Sequence, residues 1–268
     1  YYDFIDPPLA SCRSLDECLQ KLRRPQGASA RSLDLRAQAE TIRSTGHAVG
    51  AWCFGGIFEM VFWLRGYRQA YLDFAADPCL VGGLMDALLA CQIEFWSGML
   101  HAVEGLLDVA ILTEDLGTQS STMISPRQFR DLVKPRIAAL IDEIKRISPN
   151  TRILLHSCGA VFPLIGDFVD MGVDILNPIQ PSAHGMADLA RIKQEFGRDL
   201  SFHGALDTQH LLPHGSPDEI RAAVDRTVEI LGRGGGYIVA PAHCIQPDVP
   251  AQNVLAMADA VRALGSYP

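Results

Sequence analysis

Arg152-Ile153-Leu154-Leu155-His156-Ser157-Cys158-Gly159 combines an apolar run with an abrupt polar end. Ile153 to Leu155 are apolar without alternation, the pattern of a strand buried on both faces in a parallel sheet. They run directly into polar residues. In an extended strand, side chains two apart point the same way, so His156 and Cys158 project together from the strand's C-terminal end. Imidazole and thiolate suit zinc, and one cation could touch both. The alternative is that His156 caps a loop and Cys158 packs as a small apolar residue.

The same pattern recurs around His47–Phe54, Asp108–Thr113, Val173–Leu176, Leu200–Phe202 and Gly236–Val239. Helical periodicity fills the intervals at Leu80–Val103, Pro126–Ile147, Met186–Phe196, Pro217–Leu231 and Pro250–Leu264. Ser125-Pro126 and Ser216-Pro217 supply helix-start chemistry. Repeated βα units build either an open doubly wound sheet or a closed barrel. No strand end carries GxGxxG or GxxxxGK[ST], the turns by which a nucleotide-binding open sheet declares itself. Instead the strands end in polar clusters: Glu114-Asp115, His156-Ser157-Cys158, Asn177-Pro178, His203 with Asp207, and His243-Cys244. A catalytic face built from strand ends is the property of a (β/α)8 TIM barrel, so one such domain is expected over residues 1–268. Six strands are found where eight are needed. Either a portion of the barrel precedes Tyr1, where the chain opens without Met, or two strands lie in segments that read as loops.

Composition narrows the function. The net charge is -8, from 31 acidic against 23 basic residues, which argues against a nucleic-acid or anionic-membrane partner and for a small-molecule substrate. Seven scattered cysteines without a CxxC pair do not form a secreted disulfide framework, so a reducing cytoplasm is expected. Ala51 to Leu64, read as the most apolar stretch, is too short to cross a bilayer and is interrupted by Glu59. No signal peptide is recognised.

Among candidate site residues, Pro241-Ala242-His243-Cys244 ends the last strand, and either His243 or Cys244 could add a third ligand to His156 and Cys158. Three protein ligands and an open position define a catalytic zinc site. Of the adjacent carboxylates Glu114 and Asp115, only one can point into the barrel mouth, as a substrate-binding or proton-handling group. Asp115 could instead cap the turn at Gly117, and Asp207, after Gly204-Ala205-Leu206, carries the same ambiguity. His184, His210 and His214 lie in Pro- and Gly-rich loops and are expected to be solvated.

These residues resemble the uroporphyrinogen decarboxylase superfamily. The resemblance rests on Gly56-Ile57-Phe58-Glu59, Leu64-Arg65-Gly66, Glu114-Asp115-Leu116-Gly117-Thr118-Gln119 and Ser125-Pro126. It continues through His156-Ser157-Cys158-Gly159, Asp174-Ile175-Leu176-Asn177-Pro178, Gly204-Ala205-Leu206-Asp207-Thr208-Gln209, Gly234-Gly235-Gly236-Tyr237-Ile238, His243 and Pro250-Ala251-Gln252-Asn253-Val254. It implies a (β/α)8 barrel, catalytic roles for Glu114, Asp115 and Asp207, and substrate contacts from Gln119, Asn177 and Gln209. The superfamily holds two chemistries: cofactor-free decarboxylation of uroporphyrinogen, and zinc-dependent methyl transfer from a methylated corrinoid protein to a thiol or folate. The HxC pair His156 and Cys158 resembles the methyltransferase branch, which implies Zn2+, a methyl-corrinoid held by a partner protein and a small methyl acceptor. In that branch the last ligand is a Cys four residues before a Pro. Here His243 stands in that register, and a His there also resembles the decarboxylases.

Substrate charge favours the methyltransferase branch, because uroporphyrinogen carries eight carboxylates. Eight carboxylates call for several Arg or Lys donors, and the stretches Glu114 to Ser125, Asn177 to Met186, His203 to His214 and Ala242 to Pro250 contain none. The resemblance places important decarboxylase arginines near the N-terminus, in a region that can precede Tyr1, and Arg65 and Arg68 are further candidates within this chain. The expected function is therefore a corrinoid-linked methyltransferase, with a uroporphyrinogen decarboxylase as runner-up and a catalytically silent, ligand-binding barrel as a third reading. The oligomeric state is left open.

Overall fold

A computed structural model describes residues 6–22, 32–53 and 55–264. Residues 1–5, 23–31, Phe54 at the end of the first expected strand, and 265–268 lie outside the described residues. The chain divides into two compact units, Tyr1–Asp115 with Ile124–Leu154, and Leu116–Met123 with Leu155–Pro268.

In the first unit come α1 (Leu15–Lys21), α2 (Ser32–Ser44), β1 (Gly50–Trp52), α3 (Ile57–Arg65), α4 (Tyr67–Ala76), α5 (Pro78–Val103) and β2 (Val109–Thr113). α6 (Pro126–Gln128), a π turn (Phe129–Val133) and α7 (Lys134–Ile147) follow, and β3 (Arg152–His156) starts there. β1 and β2 pair in parallel, Gly50 against Val109 and Trp52 against Ile111. The expected helix Pro126–Ile147 is thus divided. Pro135 has no N–H to give to the carbonyl of Asp131, and the widened turn sits where that bond is missing. Ser125 starts the element with a capping box closed by Gln128.

α5, and not Ala51 to Leu64, is the chain's long apolar segment. Its 26 residues pass the length and composition test for a membrane-crossing helix. Leu84, Met85, Trp96 and Leu100 are nevertheless buried inside the protein, so α5 serves as the central core helix of its unit. α3 and α4, absent from the expected helices, meet at Gly66 and pack Phe62 stacked on Phe74, with Phe58 tilted against both.

The second unit carries α8 (Ile165–Asp170), β4 (Ile175–Ile179), α9 (Leu189–Phe196), β5 (Ser201–Leu206), α10 (Leu211–His214), α11 (Pro217–Leu231), β6 (Tyr237–Pro241) and α12 (Ala251–Ala263). β4, β5 and β6 pair in parallel in sequence order. Leu206, Val224 and Ala260 pack one core cluster, and Leu212, Ile220 and Ala256 another, which fixes α11 and α12 against the sheet. Ser216 caps α11 through a second capping box with Glu219. All six expected strands are present among the described residues, giving an α/β fold of parallel strands joined by helices. β4 and β5 run further than the apolar residues that announced them, so Asn177 and His203 lie within strands.

Between β4 and β5 the register slips. Leu176 faces Phe202 and Ile179 faces Gly204, so β4 spends three residues where β5 spends two. The extra residue is a β-bulge at Asn177-Pro178, a device that re-aims a side chain.

Candidate metal centre

β3 delivers His156 at its last residue and Cys158 two residues later, and the turn after β6 delivers His243. One donor atom from each of the three lies within 4.8 Å of the others. Cys158 Sγ and His156 Nε2 are 3.4 Å apart. Ligand atoms about 2.0–2.3 Å from a tetrahedral zinc ion sit roughly 3.5 Å from one another, so this pair already has the spacing that zinc requires. The His156 and His243 rings are 6.0 Å apart between centroids and tilted by 64°. All three side chains are half-buried, shielded from bulk water yet reachable.

The turn that carries Cys158 is held from several sides. Ser157 is fully buried, its N–H donates to the Asn177 carbonyl at 2.7 Å, and its hydroxyl accepts from Leu116 N–H at 3.1 Å. Gly159 donates its N–H to Gln180 Oε1 at 2.9 Å, and Ala160 donates to the Thr118 carbonyl at 2.7 Å. Here Gly159, at φ 89°, passes Gly117 backbone to backbone. A Cβ on Gly159 would stand 2.5 Å from Thr118 O, and one on Gly117 would stand 2.6 Å from Cys158 O. Only glycine permits that approach at both positions.

Behind the pair, His156 Nδ1 and Asn177 Oδ1 are 2.5 Å apart, and Asn177 Nδ2 and His203 Nδ1 are 2.6 Å apart. Burial, and then the neighbouring His156, push the His203 imidazole below the usual histidine value. His203 was visible in the sequence as part of a strand-end cluster, but its partnership depends on the bulge in β4, which leaves no compositional trace.

The other expected site residues fall elsewhere. Cys244 is exposed and lies outside the three-residue group. Glu114 is buried and turned toward α3, where its Oε1 accepts from Ile57 N–H at 2.5 Å and its Oε2 from Phe58 and Glu59 N–H at 2.9 and 3.2 Å. Gly56 gives that helix no side-chain cap, and the Glu114 carboxyl takes over the role. Burial pushes Glu114 up to about 8 against the pull of these N–H groups. Asp115 is the half-buried member of the pair, and its charge acts on Glu59. Burial first, and Asp115 second, push Glu59 up to about 7. The sequence shows Glu59 only as part of a motif, with no sign that it would titrate near neutrality.

Asp207 folds back on its own turn. Its Oδ1 accepts from Gln209 N–H at 2.9 Å and its Oδ2 from His210 N–H at 3.1 Å, and the residue lines a groove of about 540 Å³ with residues of α9 and α11 such as Ala190 and Arg226. Gln209 is exposed, whereas Gln119 accepts from Gln180 Nε2 at 3.5 Å beside the Cys158 turn. His184, His210 and His214 are exposed. Arg65 is 2% exposed and ion-paired with Asp73 at 2.7 Å, which withdraws it from substrate binding, while Arg68 is exposed.

A family model described as uroporphyrinogen decarboxylase (URO-D) matches residues 19–264. A uroporphyrinogen decarboxylase of Crocosphaera subtropica is 29% identical over 131 residues, covering 49% of this chain and 34% of that protein. A methylated-thiol–coenzyme M methyltransferase of Methanosarcina mazei is 28% identical over 216 residues, covering 80% of this chain and 49% of that protein. The chain thus spans half or less of the length of these curated relatives. A solved structure of a methyltransferase from Methanosarcina mazei superposes with a TM-score of 0.68 at 20% identity, covering 87% of this chain and 64% of that one, a likeness of fold.

Proposed function

The chain belongs to the uroporphyrinogen decarboxylase family, and from that premise we propose that it is a cytoplasmic zinc-dependent methyltransferase of (β/α)8 type. In this reading it moves a methyl group from the corrinoid of a separate partner protein to a small thiol or folate acceptor. The observation that carries the proposal is the convergence of His156, Cys158 and His243. Two imidazoles and a thiolate are a zinc donor set, and three protein ligands leave a fourth position for the acceptor. Zinc bound there supplies Lewis-acid chemistry that lowers the acceptor's pKa and makes it a nucleophile near neutral pH.

The chain's own residues supply placement. His156 presents Nε2 toward Cys158 while its other nitrogen is engaged by Asn177. The paired glycines Gly117 and Gly159 lock the loop that carries the thiol. Cys158 Sγ supplies the negative charge of the donor set. His243 in place of a second cysteine leaves the loaded site one charge more positive, which favours an anionic acceptor such as a thiolate. The decarboxylase reading needs basic groups for eight carboxylates, and Arg65, one of the candidates within this chain, is committed to Asp73.

The test is methyl transfer from methylcobalamin to a simple thiol under anaerobic conditions, read as thioether by mass spectrometry and as loss of the methyl–cobalt absorbance. Thioether formation that requires both zinc and Cys158 is the expected result. Release of carbon dioxide from uroporphyrinogen by metal-free protein, without thioether formation, would overturn the reading.

A further inference from the structure

Resting on the metal centre just described, we infer that Asn177 is a positioning residue that fixes the tautomer and orientation of His156 and ties it to His203. An amide accepts only through its oxygen and donates only through its nitrogen. With Oδ1 at 2.5 Å from His156 Nδ1, the His156 proton resides on Nδ1 and the Nε2 lone pair faces the Cys158 sulfur, 3.4 Å away. A histidine that offers Nε2 to a metal needs this arrangement, because the nitrogen that carries the proton cannot coordinate.

The other end of the amide is also used. Asn177 Nδ2 lies 2.6 Å from His203 Nδ1, which must therefore accept, so the amide cannot rotate about its last bond without losing both partners. Three strand positions, His156 on β3, Asn177 on β4 and His203 on β5, form one polar row. The bulge at Asn177-Pro178 is what brings the amide between the two rings. Tyr237 on β6 continues the support by donating its hydroxyl to the Gly204 carbonyl next to His203, at 2.8 Å. The row identifies Asn177 as a group that acts on the metal ligand; the family resemblance had assigned it to substrate.

Co(II) serves as the probe, because its visible absorption reports both affinity and ligand geometry without any turnover. Asn177→Leu removes acceptor and donor together and should weaken Co(II) binding by roughly 10- to 100-fold, the usual effect of losing a hydrogen-bond partner of a metal-bound histidine. Asn177→Ser serves the same purpose with a smaller side chain. Asn177→Asp keeps an oxygen for the His156 Nδ1 proton and should restore wild-type affinity, although it cannot donate to His203. Thermal melting of the metal-free variants separates affinity from folding. Wild-type Co(II) affinity and spectrum in folded Asn177→Leu or Asn177→Ser would overturn the inference while leaving the metal centre standing, and so would a folded Asn177→Asp as weak as Asn177→Leu. A wild type that takes up neither Co(II) nor zinc would overturn the metal centre itself, and this inference with it.

Discussion

Replacing Arg65 by Met should cost about 4 kcal/mol of stability, because the guanidinium is the hub of a buried polar knot. Its Nε donates to Asp73 Oδ2 at 2.7 Å, and its Nη1 donates to the carbonyls of Leu9 and Cys12. The two side chains of the ion pair are 1% and 8% exposed. Removing the cation leaves the Asp73 carboxylate with the amide of Gln69 as its side-chain partner among the described residues, a buried charge without compensation. Breaking a buried pair from one side typically costs about 3–5 kcal/mol. The Leu9 carbonyl still accepts from Cys12 N–H, so the loss at the carbonyls adds little and the middle of that range applies. For a chain of this size the melting temperature should fall by about 10 °C. Removing both charges, as in Arg65→Met with Asp73→Leu, should return most of the loss, since an apolar pair of similar volume has no charge to solvate. Differential scanning calorimetry decides the matter. An Arg65→Met variant melting within about 2 °C of wild type would refute the structural role and return Arg65 to the list of substrate-binding cations.

Two further outcomes follow from the site geometry. Glu59 holds its proton up to about pH 7 in the folded chain, pushed up by burial and by Asp115, but releases it near 4.5 when unfolded. The native state therefore binds more protons between those values, so this contribution is complete below about pH 4.5 and is lost as pH rises through 7. It amounts to at most about 3 kcal/mol. Urea titrations at pH 5.5 and 8.5 should show lower stability at the higher pH, and because Glu114, pushed up to about 8, contributes over the same window, Glu59→Gln should reduce the difference without abolishing it; the same difference in both proteins would contradict the assignment. Asp207→Ala should destabilise by only about 1 kcal/mol, the value of a lost turn cap. It should also leave Co(II) binding unchanged, and a tenfold loss of metal affinity would show that Asp207 belongs to the site after all.

The strands were legible because burial on both faces writes them as apolar runs, and the helix starts at Ser125 and Ser216 were legible because Ser-Pro is local start chemistry, to which the structure adds capping boxes closed by Gln128 and Glu219. His156 and Cys158 followed from strand alternation. The third ligand did not, because β6 ends at Pro241 and alternation says nothing about residues 242–244 in the turn beyond it. Glu114 reads as a strand-end carboxylate in the sequence, and only the approach of the α3 N-terminus, brought from 55 residues or more upstream, shows where its oxygens are used. Asn177 was visible as a strand-end polar residue, but its place between His156 and His203 was not, since an extra residue in one strand changes the facing of a side chain without changing the composition of either strand.

The most direct test is the zinc content of the purified protein. Wild type should carry close to one equivalent by inductively coupled plasma mass spectrometry, and Cys244→Ser should keep it, because Cys244 is exposed and outside the group. His156→Ala, Cys158→Ser and His243→Ala should each lose it. A wild type that remains metal-free after incubation with zinc, or a His243→Ala variant that retains a full equivalent while Cys244→Ser does not, would contradict the centre as built here.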